Sequence, residues 1–184
     1  STHPGEDEPV LAAHKALLET APQTLLVLVP RHPERFDGVA QLIRQQGLGL
    51  ARRSKQDAVT ADTQVYLADT MGELLMLFGV ADVAFVGGSL VPVGGHNLLE
   101  PAGWGEPVVT GPHLHNFTAI SALLDDAGAL TLVENADALA IALQSLFRNP
   151  AQRQRQGEAA AAVVEANRGA LEKGLGLVGK IMNS

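Results

Sequence analysis

The sequence predicts an α/β fold, a Rossmann-like parallel sheet with helices on both faces and a first strand missing. Three observations lead there. Short, continuously apolar runs recur along the chain, as in strands covered on both sides. Stretches with apolar residues at helical spacing separate them. The third is the start: Pro4-Gly5-Glu6-Asp7-Glu8 opens a helix, its acids favoured by the helix dipole, before any strand has occurred. A helix that early suggests that an edge or first strand lies upstream.

The elements follow in order. Leu25 to Val29 (LLVLV) is the first buried strand, and Val39, Leu42 and Ile43 mark a helix after it. Val65 to Leu67 is a short strand, followed by a helix face of Leu74, Leu75 and Phe78. Val83 to Val86 (VAFV) and Pro107 to Thr110 (PVVT) are further buried strands. Ile120, Leu123, Leu124 and Ala127 form an amphipathic helix that leads to a strand at Leu130 to Val133. Leu139, Leu143, Leu146 and Phe147 form another helix, which ends near Asn149-Pro150. Gln152 to Lys180 is alanine-rich and helical, with Gly169, Gly174, Gly176 and Gly179 weakening its end. There is no internal repeat and no linker, so residues 1–184 are expected to form one domain.

Composition narrows the function. A net charge of −7 with no basic block argues against a nucleic-acid groove or a flat anionic membrane surface. No apolar run approaches the roughly 20 residues of a membrane span. There are no cysteines, which excludes disulfides and thiolate metal sites. The polar, acidic STHPGEDE does not read as a signal peptide.

In open α/β sheets, ligands bind beyond the carboxyl ends of the strands, and four unusual stretches fall there. After LLVLV comes PRHPER, where two prolines stiffen a loop that carries Arg31 and His32, groups suited to a phosphate or a base edge. Arg35 reads as structural. In DTMGEL, Thr70 and Glu73 have capping-box spacing, while Met71 and Gly72 leave amides free at a helix start, an anion site. Both readings stand.

The third stretch is GGSLVPVGGHNLLEP, residues 87 to 101. Clustered glycine means either a tight turn or a close approach to the backbone. Ser89 can donate to an anion. Gly94 and Gly95 precede a helix expected to start near His96 or Asn97, which would bare their amides to negative charge. Glu100 is placed to accept from vicinal hydroxyls such as those of ribose, against the alternative of a capping box with Asn97. His96 could be a general acid, an anion partner or a packed imidazole. Last is TGPHLHNF, whose His113 and His115 lack the companions of a metal site. No metal and no cofactor are expected, and neither a GxGxxG fingerprint nor a Walker loop is present.

Residues 84 to 117, AFVGGSLVPVGGHNLLEPAGWGEPVVTGPHLHNF, resemble the C-terminal half of the 3-deoxy-D-manno-octulosonic acid (Kdo) transferases. STHPGEDE, PRHPERF (30 to 36), RRS (52 to 54) and DTMGEL (69 to 74) extend the resemblance over nearly the whole chain. It departs at Leu98, where proline is expected, and at Leu114-His115, which leaves the roles of His113 and His115 open.

The resemblance implies one half of a GT-B glycosyltransferase, the C-terminal part of a larger two-domain chain that holds CMP-Kdo. The other half would hold the lipid A precursor, the catalytic glutamate base and any membrane contact. Transfer would invert the sugar without a nucleotide-bound metal, on the cytoplasmic side of the bacterial inner membrane. Arg31 and His32 would face the CMP phosphate or base, with Met71, Gly72 and Glu73 near the cytidine. Ser89, Gly94, Gly95 and Asn97 would surround the phosphate and the sugar carboxylate, and Glu100 would take the ribose. A sugar-nucleotide epimerase of the same shape and a non-catalytic nucleotide-sugar binding module are the alternatives.

Overall fold

Leu26–Leu28 forms β1, a run of branched and apolar side chains suited to a pleated, covered surface. The computed structural model of the chain describes residues 1–182, with side chains through residue 168. Ahead of β1 lies helix α1 (Asp7–Leu18), with Asp7 and Glu8 in its first turn. Then come α2 (Phe36–Gln45), β2 (Leu50–Arg52), β3 (Val65–Leu67), α3 (Leu74–Phe78), β4 (Ala84–Val86) and α4 (Leu99–Gly103). The chain continues with β5 (Val108–Thr110), α5 (Thr118–Asp126), β6 (Leu130–Leu132), α6 (Ala136–Arg148) and α7 (Pro150–Met182). The glycines expected to weaken the last helix, from Gly169 to Gly179, fall in its closing stretch, whose side-chain surroundings lie outside the described residues.

Every strand pair is parallel, as alternation of strand and helix requires. The strands form two three-stranded sheets, ordered β1-β3-β2 and β4-β5-β6. Leu26 and Leu50 both lie opposite Val65, and Ala84 and Leu130 both lie opposite Val108. β2 is absent from the sequence reading because its three residues end in the charged Arg52 and carry one buried side chain, Ala51.

Neighbouring residues on β5 show the layering, since successive strand side chains point to opposite faces. Val109 joins a core with Leu11, Leu28, Ile43, Leu67, Leu139 and Leu146, which spans both sheets beneath α1 and α6. Val108 joins a second core with Leu98, Ala102, Leu124, Leu130 and Ala160, beneath α4, α5 and α7. Helices therefore cover both faces of the β4-β5-β6 sheet. The loops that follow β1, β3, β4 and β5 carry the four stretches that the sequence singles out.

Candidate functional site

The loop after β4 turns around a carboxylate from the start of the chain. Glu6 is fully buried, and its Oε2 accepts from the Gly88 amide at 2.7 Å and the His3 amide at 2.9 Å. Its Oε1 accepts from the amides of Ser89 and Leu90, each at 3.0 Å. Successive amides in such a turn form an anion nest, and here the anion is the protein's own. Gly87 has no room for a Cβ, because one would lie 2.2 Å from the Ser1 carbonyl oxygen. The first glycine pair thus answers to close approach by the chain itself.

Ser89 is engaged within the chain. It is fully buried, its Oγ donates to the Val86 carbonyl at 2.7 Å, and it accepts from the Gly111 amide at 2.8 Å. The second glycine pair also differs from expectation. α4 begins at Leu99, so Gly94 and Gly95 lie in a loop ahead of it rather than at its first turn. The Gly95 amide donates to the Gly88 carbonyl at 2.7 Å. A Cβ on Gly94 would meet Asn116 Nδ2 at 2.2 Å and His115 Nε2 at 2.6 Å. The TGPHLHNF loop packs on this pair, and that packing requires glycine at Gly94.

Four of the residues expected in the site do come together. Arg31, His96, Asn97 and Glu100 line one cavity of about 230 Å³, with Ser1, Leu74, Phe78, Val86 and Phe117. Arg31 is exposed, and no hydrogen bond holds its guanidinium among the described residues. Asn97 Oδ1 accepts from the Leu99 amide at 3.0 Å, and its Nδ2 donates to Glu100 Oε1 at 3.2 Å. Asn97 therefore acts as an Asx cap that also aims the Glu100 carboxylate.

His96 belongs to an imidazole cluster. Its Nε2 lies 2.9 Å from His3 Nε2, and the two rings stack with centroids 5.0 Å apart. His32 meets His3 edge-on at 5.4 Å and does not line the cavity. Burial pushes the His96 pKa down to about 4, helped by the neighbouring His3 and Arg31. A neutral imidazole donates one hydrogen bond and accepts one, so this is a polar positioning group rather than a cation.

Met71, Gly72 and Glu73 sit beside the cavity, ahead of Leu74, without lining it. Glu73 is engaged within the chain: Arg53 grips it through Nη2 at 2.8 Å, and the Thr70 hydroxyl donates to it. Arg53 and Thr70 hold its carboxyl below the usual range. Met71 is exposed, and Gly72 adopts a positive φ of 86° with open space around it. The neighbouring Asp69 accepts from Arg52 Nε at 2.7 Å, and from Ser54 through its amide at 2.7 Å and its hydroxyl at 2.5 Å. The RRS stretch thereby fixes the DTMGEL loop that flanks the cavity.

Sequence reasoning passed over Glu6 and His3. The signal was present in STHPGEDE, where a buried acid looks the same as a helix-dipole acid until β4 is placed against it. Among the described residues, no group of three or more His, Asp or Glu side chains is placed to hold a metal ion. Among them, too, no helix is long and apolar enough to cross a membrane.

No family model matches the chain. It is 48% identical over 179 residues to the 3-deoxy-D-manno-octulosonic acid transferase of Haemophilus influenzae, covering 97% of this chain and 42% of that protein. Against the enzyme of the same name from Bordetella pertussis, identity is 41% over 183 residues, covering 95% and 42%. Among solved structures it is similar to the C-terminal CMP-Kdo binding domain of WaaA from Acinetobacter baumannii. The TM-score is 0.85 at 37% identity, over 89% of this chain and 86% of that one. The chain spans about two fifths of the length of these curated relatives.

Proposed function

The chain belongs to the Kdo transferases, and from that premise we propose that it is the donor-holding unit of a longer two-domain glycosyltransferase, with CMP-Kdo as its ligand. The observation that carries the reading is the convergence of Arg31, His96, Asn97 and Glu100 on one cavity, beyond the carboxyl ends of β1 and β4. Two of these residues precede α4 and one lies in its first turn. Arg31 arrives from the loop after β1, braced by its amide, which donates to the Thr2 carbonyl at 2.9 Å.

The chemistry of the four groups suits a nucleotide. A free guanidinium binds a phosphate through charge-assisted bonds. The Glu100 carboxylate, aimed by Asn97, accepts from the ribose hydroxyls. Neutral His96 supplies a hydrogen bond without competing with Arg31 for the anion. About 230 Å³ accommodates part of a sugar nucleotide rather than all of it, so the remainder extends past Met71, Gly72 and Glu73 and past His32.

In the transfer, the bond from the Kdo anomeric carbon to the phosphate oxygen breaks, and CMP leaves with the electron pair. A hydroxyl oxygen of the lipid A precursor bonds to that carbon from the opposite face, and its proton passes to a base in the rest of the protein. Arg31 stabilises the negative charge that develops on the departing phosphate. The acceptor, the base and the attachment to the cytoplasmic face of the inner membrane all belong to the part of the enzyme beyond this chain.

Calorimetric titration with CMP and with UMP tests the reading. Saturable binding of CMP, tighter than UMP, is expected. Absence of CMP binding, or a preference for UMP, would overturn it. Robust Kdo transfer by residues 1–184 alone would overturn the assignment of the base to the other half.

A further inference from the structure

Of the three clustered imidazoles, His96 lines the polar cavity, while His3 touches it from outside. We infer that His3 is a positioning residue of this site: its Nε2–H donates to His96 Nε2, which fixes His96 in the tautomer that presents Nδ1–H to the cavity. The inference rests on the nucleotide reading for what the cavity holds, and on the geometry of the two rings for the pairing.

The two Nε2 atoms are 2.9 Å apart, with the ring planes inclined by 20°. Two lone pairs, or two N–H groups, would repel at that separation, so one proton lies between the rings and their tautomers are tied together. Burial lowers the pKa of both rings, which are therefore neutral near pH 7.5. The His96 edge that carries Cδ2 and Nε2 is seated against Gly88, where a Cβ would lie 3.2 Å from both atoms. Nδ1 is on the opposite edge, and among the described residues no hydrogen bond holds it.

One carboxylate sets both sides of the pair. Glu6 Oε2 accepts from the amides of His3 and Gly88, at 2.9 and 2.7 Å. It thereby places both the residue that bonds to His96 Nε2 and the residue that seats the His96 ring. His32 closes on the His3 ring edge-on, with centroids 5.4 Å apart. The cavity decides which ring gives the proton. Arg31 can only donate, and the Asn97 amide is engaged by Leu99 and Glu100. A phosphate drawn to Arg31 brings acceptor oxygens, which a lone pair on His96 Nδ1 would repel. Nδ1–H donates to them instead, and that requires Nε2 to accept from His3.

Proton–nitrogen correlation spectra of the histidine-labelled chain near pH 7.5, taken without ligand, read the tautomers directly. His96 is expected to carry its proton on Nδ1, and His3 on Nε2. The reverse pair, or a mixture at His96, overturns the inference. Two variants separate a hydrogen bond from mere packing. His3→Leu keeps the bulk and removes the donor, so His96 should revert towards the Nε2–H form that free histidine favours. CMP affinity should then fall about five- to tenfold in calorimetry. His3→Gln offers an amide N–H in place of Nε2–H, and should keep both the Nδ1–H tautomer and an affinity within about twofold of the parent. Equal losses in the two variants, or an unchanged tautomer in His3→Leu, overturn the positioning role. Failure of the parent to bind CMP would refute the nucleotide reading alone, because the spectra decide the pairing in the unliganded chain.

Discussion

Glu6 Oε2 lies 2.7 Å from the amide nitrogen of Gly88, a contact between the start of α1 and the loop after β4. Three successive amides of that loop end on this one carboxylate. The glycine-rich turn is thus held in shape by the protein before any ligand arrives. Glu6→Gln keeps the size but replaces one acceptor oxygen with a donor that faces amides. Urea denaturation should show a loss of about 2–3 kcal/mol, and a change below about 0.5 kcal/mol would remove Glu6 from this role.

Two glycines make a contrasting pair. Gly87→Ala would force a methyl against the Ser1 carbonyl, and should destabilise by about 2 kcal/mol or more. Gly38 lies in α2 with open space around it, and Gly38→Ala should stabilise by about 0.5–1 kcal/mol. Thermal melts of both variants check the signs, and equal behaviour would refute the close approach at Gly87.

Arg31→Ala and Glu100→Ala should each weaken CMP binding by about 1–3 kcal/mol in calorimetry, the loss of a matched polar partner. Neither should shift the urea midpoint much, since Arg31 is exposed and, among the described residues, Glu100 is held by Asn97 alone, at 3.2 Å. Full CMP affinity in both variants would mean that the cavity is not the nucleotide site.

Asp69 is buried and takes three bonds from Arg52 and Ser54. Asp69→Ala leaves the half-buried Arg52 without its inner partner, and should cost about 3–5 kcal/mol. Stability within about 1 kcal/mol of the parent would show that the RRS stretch does not anchor the loop.

Folded His96 titrates at about 4, below its usual 6.5. Between these values the unfolded chain binds a proton that the folded chain refuses, so stability falls as pH drops from 6.5 towards 4. His3 and His14, also lowered by burial, act in the same direction. His96→Gln should make the decline between pH 7.5 and 5 shallower in urea titrations. Identical slopes for parent and variant would count against a neutral, buried His96.

Much of the fold was legible because it rests on local pattern. LLVLV, VAFV and PVVT alternate with stretches at helical spacing, and a parallel arrangement follows from that rhythm alone. β2 escaped, since three residues ending in Arg52 leave almost no periodic signal. In the cavity, Arg31, Asn97 and Glu100 were legible because loops beyond strand ends are where ligands bind in such sheets.

What sequence could not resolve was which groups are already spoken for. GGSLVPVGG looks like bare amides waiting for an anion, yet Glu6 satisfies one set, Gly88 takes the amide of Gly95, and Ser89 bonds to Val86 and Gly111. Residue types and spacing determined the α/β pattern and the strand-end loops, because both are short-range properties of the chain. The tertiary structure alone decided that Gly87 and Gly94 make room for Ser1 and for the loop after β5. Hydrogen-bond partners more than 80 residues distant in sequence are set by packing, which no local stretch encodes.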